Sequence, residues 1–526
     1  MQETLEYIKQ AFDLKTQKCY KQAIEMLYKA LEVESDNIEI LFQIGELYFL
    51  LHNFQRASQY FEKVLQKNPN HIETLKLQFK ILTYSNEKEN AYIIAEKIFN
   101  IKQSTENLIE LIKIAAKNAN FSKIQELENL DIVNDEVKFC IANAYYENFD
   151  FDKAKEKLED ALNMNSENED ALVLLGKIYF DKSEFLKSKD IFKTFPKTTE
   201  NPEVLNYLGL FALEDMNFIE AIKYFSKASN INNKNHRYLY NLGNAYFYNG
   251  WFKEATQSYL QAICMAPENS GYRYSLCYLY YELKNYEKAQ QEVNYILEHD
   301  PEYGLAHVLN ALLKFENKDF LGAKQELETN IKNGHNNNFT LVSLAKVYRE
   351  LAMYEKAENT ITSVIENNPN SLNYRCNLAD IYIAEKKYDE AIDIVENILK
   401  ESQNYIVAYS IGAKAYLGKG DYEKVKEYAQ NAVSLDINYA SGYYYLATVR
   451  FYEKDFEEAI ECMKRAIMYD INNPEYYAKM SEIYKAQNDY KMALEYIKEA
   501  ESISGDTQYK IQYKELATLN RKSNIN

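Results

Sequence analysis

The chain has 526 residues, with 61 lysines and arginines against 79 aspartates and glutamates, a formal net charge of -18. Hydrophobic residues at 47% exclude wholesale disorder, and charged residues at 27% exclude a membrane-embedded body. So acidic a chain is not expected to take nucleic acid, which requires a basic face, as its main partner, and fourteen glycines with seven prolines leave little material for hairpins or Gly-rich phosphate loops.

The N-terminal stretch MQETLEYIKQAFDLK reads as an amphipathic helix with acids among its first six residues. It has neither the cationic start nor the apolar run of a secretory signal. No apolar run of about 18 residues follows, so no membrane insertion is expected. The six cysteines, Cys19, Cys140, Cys264, Cys277, Cys376 and Cys462, form no CxxC pair. They fit buried thiols in a reducing compartment, and the expected location is cytoplasmic.

A phrase recurs along the chain: an aromatic, a small residue three positions later, then an apolar face. It reads YKQAIEMLYKAL from Tyr20, FKEATQSYLQAI from Phe252 and FEEAIECMKRAI from Phe456. The small-residue position falls at Ala23, Ala57, Ala91, Ile124, Ala154, Ser188, Ala221, Ala255, Ala289, Ala323, Ala357, Ala391, Val425, Ala459 and Ala493. Most steps are 34 residues, and the step from Ile124 to Ala154 is 30. The aromatic is missing only in the third unit, where Lys88 replaces it. Upstream in each unit runs a first helix, clearest as LFQIGELY from Leu41 and LYNLGNAY from Leu239. Pro69, Pro267, Pro301 and Pro369 end units, Pro202 and Pro474 open them, and Pro196 lies in a loop, so none needs a helix interior.

This pattern resembles the tetratricopeptide repeat over roughly residues 4 to 505. The eighth unit matches it almost fully, with Leu239, Leu242, Gly243, Tyr246, Phe252, Ala255, Tyr259, Ala262 and Pro267. The resemblance implies an all-α, right-handed α-solenoid of about fifteen helix–turn–helix repeats. Small residues such as Gly243 and Ala255 would let the two helices of a unit approach closely, and stacking of neighbours would bury each apolar face. Residues 507–520 place Tyr509, Tyr513, Leu516 and Leu519 on one face, as expected of a C-terminal capping helix.

Departures from the pattern suggest a division of the array. Residues 1–103 hold repeats one to three, with Phe79 where a small residue is expected. Residues 104–135 form a degenerate short repeat, read as an irregularity or hinge, with a shortened second helix. Repeats five and six occupy 136–200 and end irregularly in FKTFPKTTENPE; repeats seven to fifteen occupy 201–505, and the cap with its tail 506–526.

No catalytic constellation emerges. The six histidines are never three or four apart, and no P-loop, GxGxxG, GxSxG or HExxH is present. The pair Gly418 and Gly420 reads as a helix–helix turn. The repeats leave only about 20 residues uncommitted, so no enzyme, metal or cofactor is expected.

In the family, first helices line a concave groove in which partner peptides bind. Transferred here, the groove positions are Arg237, Tyr240, Asn244 and Phe247 in the eighth unit, and Tyr274, Tyr278 and Tyr281 in the ninth. In the tenth they are Leu305, Val308, Leu312 and Phe315. Tyrosine offers rigid apolar area with a hydroxyl at low entropic cost. The competing reading is that tyrosine, like Asn, Lys and Ile, is abundant through compositional drift and packs between units. A row of acids, Glu39, Glu73, Glu106, Glu136, Asp170 and Glu203, opens six first helices and is best assigned to the helix dipole. The family's carboxylate clamp pairs Lys with Asn; Asn143 and Asn244 hold the asparagine place, but Phe139 and Tyr240 stand where lysine belongs. The expected function is a non-catalytic scaffold that binds a protein or peptide partner in the groove. The alternatives are a self-assembling structural solenoid or a regulatory subunit of an enzyme encoded elsewhere.

Overall fold

The computed structural model describes residues 2–130, 134–196, 198–504 and 507–523. Among these residues the secondary structure is thirty-one α-helices and no strand. Each recurring aromatic opens a second helix: Tyr20–Val33, Phe54–Lys67, Phe218–Ile231 and Phe456–Tyr469 all begin on it. The residue before it often caps that helix. The side chains of Asn53, Asn120, Asp150, Asn217, Asp319 and Asp455 each accept a backbone N–H three positions on.

The residue two positions before each second helix is left-handed in all fifteen units. Only two of these, Gly250 and Gly420, are glycine; the rest include Lys18 (φ 60°), Phe149 (φ 61°) and Met216 (φ 57°). The conformation closes the first helix. Next to left-handed His52, for example, the Asn53 N–H returns to the Tyr48 carbonyl at 2.9 Å, a Schellman bond that satisfies an orphan acceptor.

All fifteen positions of the small-residue series are 0% exposed, including Ile124, Ser188 and Val425. They sit where a second helix crosses its own first helix. In several units an aromatic ring lies beside this crossing, and a glycine makes room for it. Gly45, Gly176 and Gly209 face the rings of Phe61, Phe192 and Phe225.

By internal contact the chain forms two compact units, Met1–Ser258 and Tyr259–Asn526. Within each, a first helix packs on its own second helix and on the first helix of the next repeat, as Pro202–Glu214 does on Phe218–Ile231 and His236–Tyr248. First helices therefore share one face. In the second unit two turns distant in sequence meet: Lys284 donates through Nζ to the Asn472 carbonyl, 188 positions on, at 3.0 Å.

Two stretches depart from the regular repeat. Phe121–Glu128 has eight residues against fourteen in a regular second helix such as Phe151–Met164, and Thr105–Lys117 packs directly on Asp135–Glu147. Phe79 is half-buried against the same core. Phe185–Thr194 stops after ten residues at the extended Phe195, which is buried against Phe192. Pro202 and Pro474 occupy the first turns of their helices. The capping helix is Thr507–Ser523, with Leu516 buried and Tyr509 and Tyr513 packed on Tyr490–Ser504. The junctions at 131–133 and 505–506 and the tail 524–526 lie outside the described residues. The thiols only partly follow expectation: Cys140, Cys277, Cys376 and Cys462 are buried, but Cys19 and Cys264 are exposed.

Candidate functional site

The eleven groove residues fall in the two compact units, four in the first and seven in the second. In the first, Arg237, Tyr240, Asn244 and Phe247 lie along the helix His236–Tyr248. Arg237 is exposed, while Tyr240, Asn244 and Phe247 are half-buried. Arg237 lies close enough to Tyr146 and Tyr207 for its charge to oppose the upward shift that burial imposes on both phenols.

In the second unit, Tyr274, Tyr278 and Tyr281 run along Ser270–Glu282 as one ladder. Ring centroids are 6.3 Å apart for Tyr274 and Tyr278 and 6.5 Å for Tyr278 and Tyr281, both pairs near parallel. Tyr274 also meets Tyr303 at 6.0 Å. Phe315 lies on the next first helix, Gly304–Glu316.

Three of the eleven share a second job. Phe247, Tyr281 and Phe315 each contact the aromatic that opens their own second helix, at 5.9 Å to Phe252, 5.8 Å to Tyr286 and 5.2 Å to Phe320. The same five-residue pairing recurs as Phe49 with Phe54, Tyr146 with Phe151, Phe180 with Phe185 and Phe451 with Phe456. Repeated in units outside the proposed groove, it is a clasp that holds the turn. Val308 is fully buried in the core around Ala323 and Leu344, and is closed to a ligand. Of the ninth unit's groove tyrosines, Tyr274 and Tyr278 are half-buried and stand outside the clasp.

A polar relay that sequence reasoning missed crosses the first-helix face of the second unit. The Tyr281 and Tyr286 hydroxyls donate to the two Glu316 oxygens at 3.1 and 3.2 Å. Burial first, and then the Glu316 charge, push the Tyr286 phenol up to about 12. Two helices on, Arg349 donates to Glu350 at 2.6 Å and to Asp380, and Asp380 takes Lys414 Nζ on its other oxygen at 2.6 Å. Lys346, Asp380 and Lys414 stand 34 apart in the register of Tyr278 and Leu312, which is the signal that could have found them.

The acids Glu39, Glu73, Glu106, Glu136, Asp170 and Glu203 all lie in first turns, where they offset the helix dipole. Two also meet a lysine of the preceding first helix, Glu106 with Lys76 at 3.8 Å and Glu203 with Lys177 at 3.6 Å. Gly418 packs against the Tyr388 ring, and Gly420 is the left-handed C-terminal residue of its turn. Among the described residues no group of three His, Cys, Asp or Glu side chains could hold a metal, and no helix is long and apolar enough to cross a membrane.

Family models of the tetratricopeptide repeat match residues 16–80, 141–188 and 236–269. A model described as ChAPs (Chs5p-Arf1p-binding proteins) matches residues 302–521. A TPR repeat-containing protein of Methanocaldococcus jannaschii is 25% identical over 283 residues, 47% of this chain and 49% of that protein. The chain thus spans about half the length of the curated relative it matches. Similar solved structures include the APC/C hetero-tetramer Cut9–Hcn1, at 13% identity, 91% of this chain, 96% of that one and a TM-score of 0.47. Yeast Tom70 gives 17% identity, 83% and 97% coverage and a TM-score of 0.37. A tetratricopeptide repeat protein from Parabacteroides merdae gives 21% identity, 48% and 99% coverage and a TM-score of 0.41. Repeat models find the sequence pattern in three separate stretches, and the packing buries its fifteen small-residue positions throughout. The chain is thus a protein that carries tetratricopeptide repeats.

Proposed function

We propose that the protein is a non-catalytic scaffold that holds a peptide or helix of a partner protein against its first-helix face. One observation carries this reading: in residues 259–526 the first helix Ser270–Glu282 presents three half-buried tyrosines, and the first helices that follow add a polar relay on the same face. Half-exposed tyrosines beside fixed polar groups suit protein recognition, since they bring large area at low entropic cost. The ChAPs family, whose name describes binding to the proteins Chs5p and Arf1p, supports a protein partner for the same stretch. The array division at 104–135 belongs to this proposal as a softer joint, supported by the short helix Phe121–Glu128.

The test is affinity capture from native lysate with mass spectrometry, using the intact chain and its Tyr274→Ala/Tyr278→Ala variant. A partner held in the groove binds the variant more weakly by more than about 1 kcal/mol, with helicity unchanged. Equal affinity for a folded double variant removes the groove reading.

A second reading, self-association, has its own observation. Phe149, Leu186 and Met216 in the first unit are 81%, 80% and 78% exposed. Such apolar side chains, at or just after the turns of successive repeats, suit contact between copies of the chain. Light scattering separates the two, because a groove scaffold stays small at all concentrations whereas a self-assembling one grows.

A further inference from the structure

The relay on the second unit's first-helix face leaves one cation over. Glu316 is taken by two tyrosine hydroxyls, and Arg349 and Lys414 are taken by Glu350 and Asp380. Lys346 lies one turn before Arg349 on the helix Asn338–Glu350, and its side chain reaches solvent. Among the described residues no carboxylate comes within ion-pair distance of it; Asp380 and Glu316 act on it only from farther off. The surrounding helices take the ammonium partly out of water, and this, followed by the Arg349 charge, holds it below the usual lysine range. Tyr278, Leu312, Phe315 and Val342, on the same and the two preceding first helices, are half-buried. A confined cation beside an apolar, aromatic shelf complements a ligand that carries a carboxylate next to large apolar groups.

We infer that Lys346 anchors a side-chain carboxylate of an acidic partner segment, whose apolar residues lie over Tyr278, Leu312 and Phe315. The inference rests on the groove reading and specifies the chemistry of the partner. It is not the family's clamp: Lys346 stands three 34-residue steps after Asn244, in the place where that clamp uses asparagine.

The test uses a random peptide library displayed on phage, selected in parallel on the full chain and on its Lys346→Met and Lys346→Glu variants. The intact chain is expected to select sequences in which Asp or Glu stands beside Leu, Phe or Tyr. The best of these, as a synthetic peptide, should bind Lys346→Met about tenfold more weakly, and its Gln/Asn version should lose a similar factor on the intact chain. Lys346→Glu should select against acids. Thermal unfolding of Lys346→Met should match that of the intact chain, because among the described residues no carboxylate pairs with the lysine. Neutral or basic selected sequences, or acidic ones that bind Lys346→Met unchanged, overturn the anchor and leave the groove reading standing. Selection of no sequence at all removes both.

Discussion

The ring of Phe225 fills the space that a side chain on Gly209 would need: a Cβ there would lie 2.6 Å from Phe225 Cε1. Gly45 and Gly176 stand in the same relation to Phe61 and Phe192. Two effects then oppose each other in Gly209→Ala. Helix propensity favours alanine by about 1 kcal/mol, but forcing a methyl into a packed ring contact costs about 1–3 kcal/mol. Because Phe225 is fully buried and the contact is far inside van der Waals range, overpacking wins. The expected outcome is net destabilisation, read as faster hydrogen exchange in Pro202–Glu214 and Phe218–Ile231. Phe225→Leu in the same background should recover part of it. A gain in stability from Gly209→Ala alone would mean that the ring moves aside freely.

The left-handed turn positions supply a second prediction. An L-residue there costs roughly 1–2 kcal/mol, and glycine gives back up to about 1 kcal/mol through its larger unfolded-state entropy. Met216→Gly, at φ 57° and 78% exposed, should therefore raise stability by about 0.5–1 kcal/mol, seen as a higher unfolding temperature. Gly420→Ala, at φ 79° with nothing within 4 Å of a new Cβ, should lower it by about 1 kcal/mol through conformation alone. No change in either variant would show that the neighbouring Schellman bonds relax.

These turns also mark where the sequence stopped being informative. The period, the buried small residue and the aromatic that opens each second helix were all readable, because packing forces one residue class at each place. The left-handed position was not. It holds Lys, His, Ala, Phe, Ser, Met and Asn, since the hairpin's closure imposes φ while the side chain points to solvent. Asparagine was set down to compositional drift, yet Asn53, Asn120, Asn217 and Asn285 cap second helices. In the groove, Phe247, Tyr281 and Phe315 looked like ligand contacts because the five-residue spacing to the next aromatic went unread. Lys346 was passed over for the opposite reason: its environment comes from neighbouring helices 34 residues apart, which no local motif displays.

Glu128, on the shortened helix of the fourth repeat, gives a pH-dependent test. It accepts Lys157 Nζ at 2.5 Å and the Tyr145 hydroxyl at 2.8 Å. Burial alone would raise its carboxyl, but Lys157 and Tyr145 more than reverse this and leave it below the usual range. A carboxylate with a lowered folded-state pKa contributes stability that is fully present above the unfolded value, about 4.3. That contribution is lost as pH falls through the lower folded value. Glu128→Gln should therefore cost about 1 kcal/mol at neutral pH, a figure kept low because the pair still meets water. The gap from the intact chain should close as the pH drops below about 4. Urea titrations across that range check it, and a gap independent of pH would assign the loss to packing.

The clasp and the ladder are separable by substitution within one helix. Tyr281 touches Tyr286 at 5.8 Å and donates to Glu316, so it ties its turn to the next first helix. Tyr281→Ala removes a half-buried ring and leaves Glu316 with one donor fewer, and should cost about 2–3 kcal/mol of stability. Tyr281→Phe keeps the ring and should lose about 1 kcal/mol. Tyr278 stacks at the longer 6.3 and 6.5 Å spacings within the ladder and lies in the register of Lys346. Its alanine variant should keep most of the stability while losing more than about 1 kcal/mol of peptide affinity. Unfolding curves and peptide titrations on the same samples give both numbers. If Tyr278→Ala unfolds as readily as Tyr281→Ala and binds peptide unchanged, the whole ladder is packing, and the groove surface begins at Leu312.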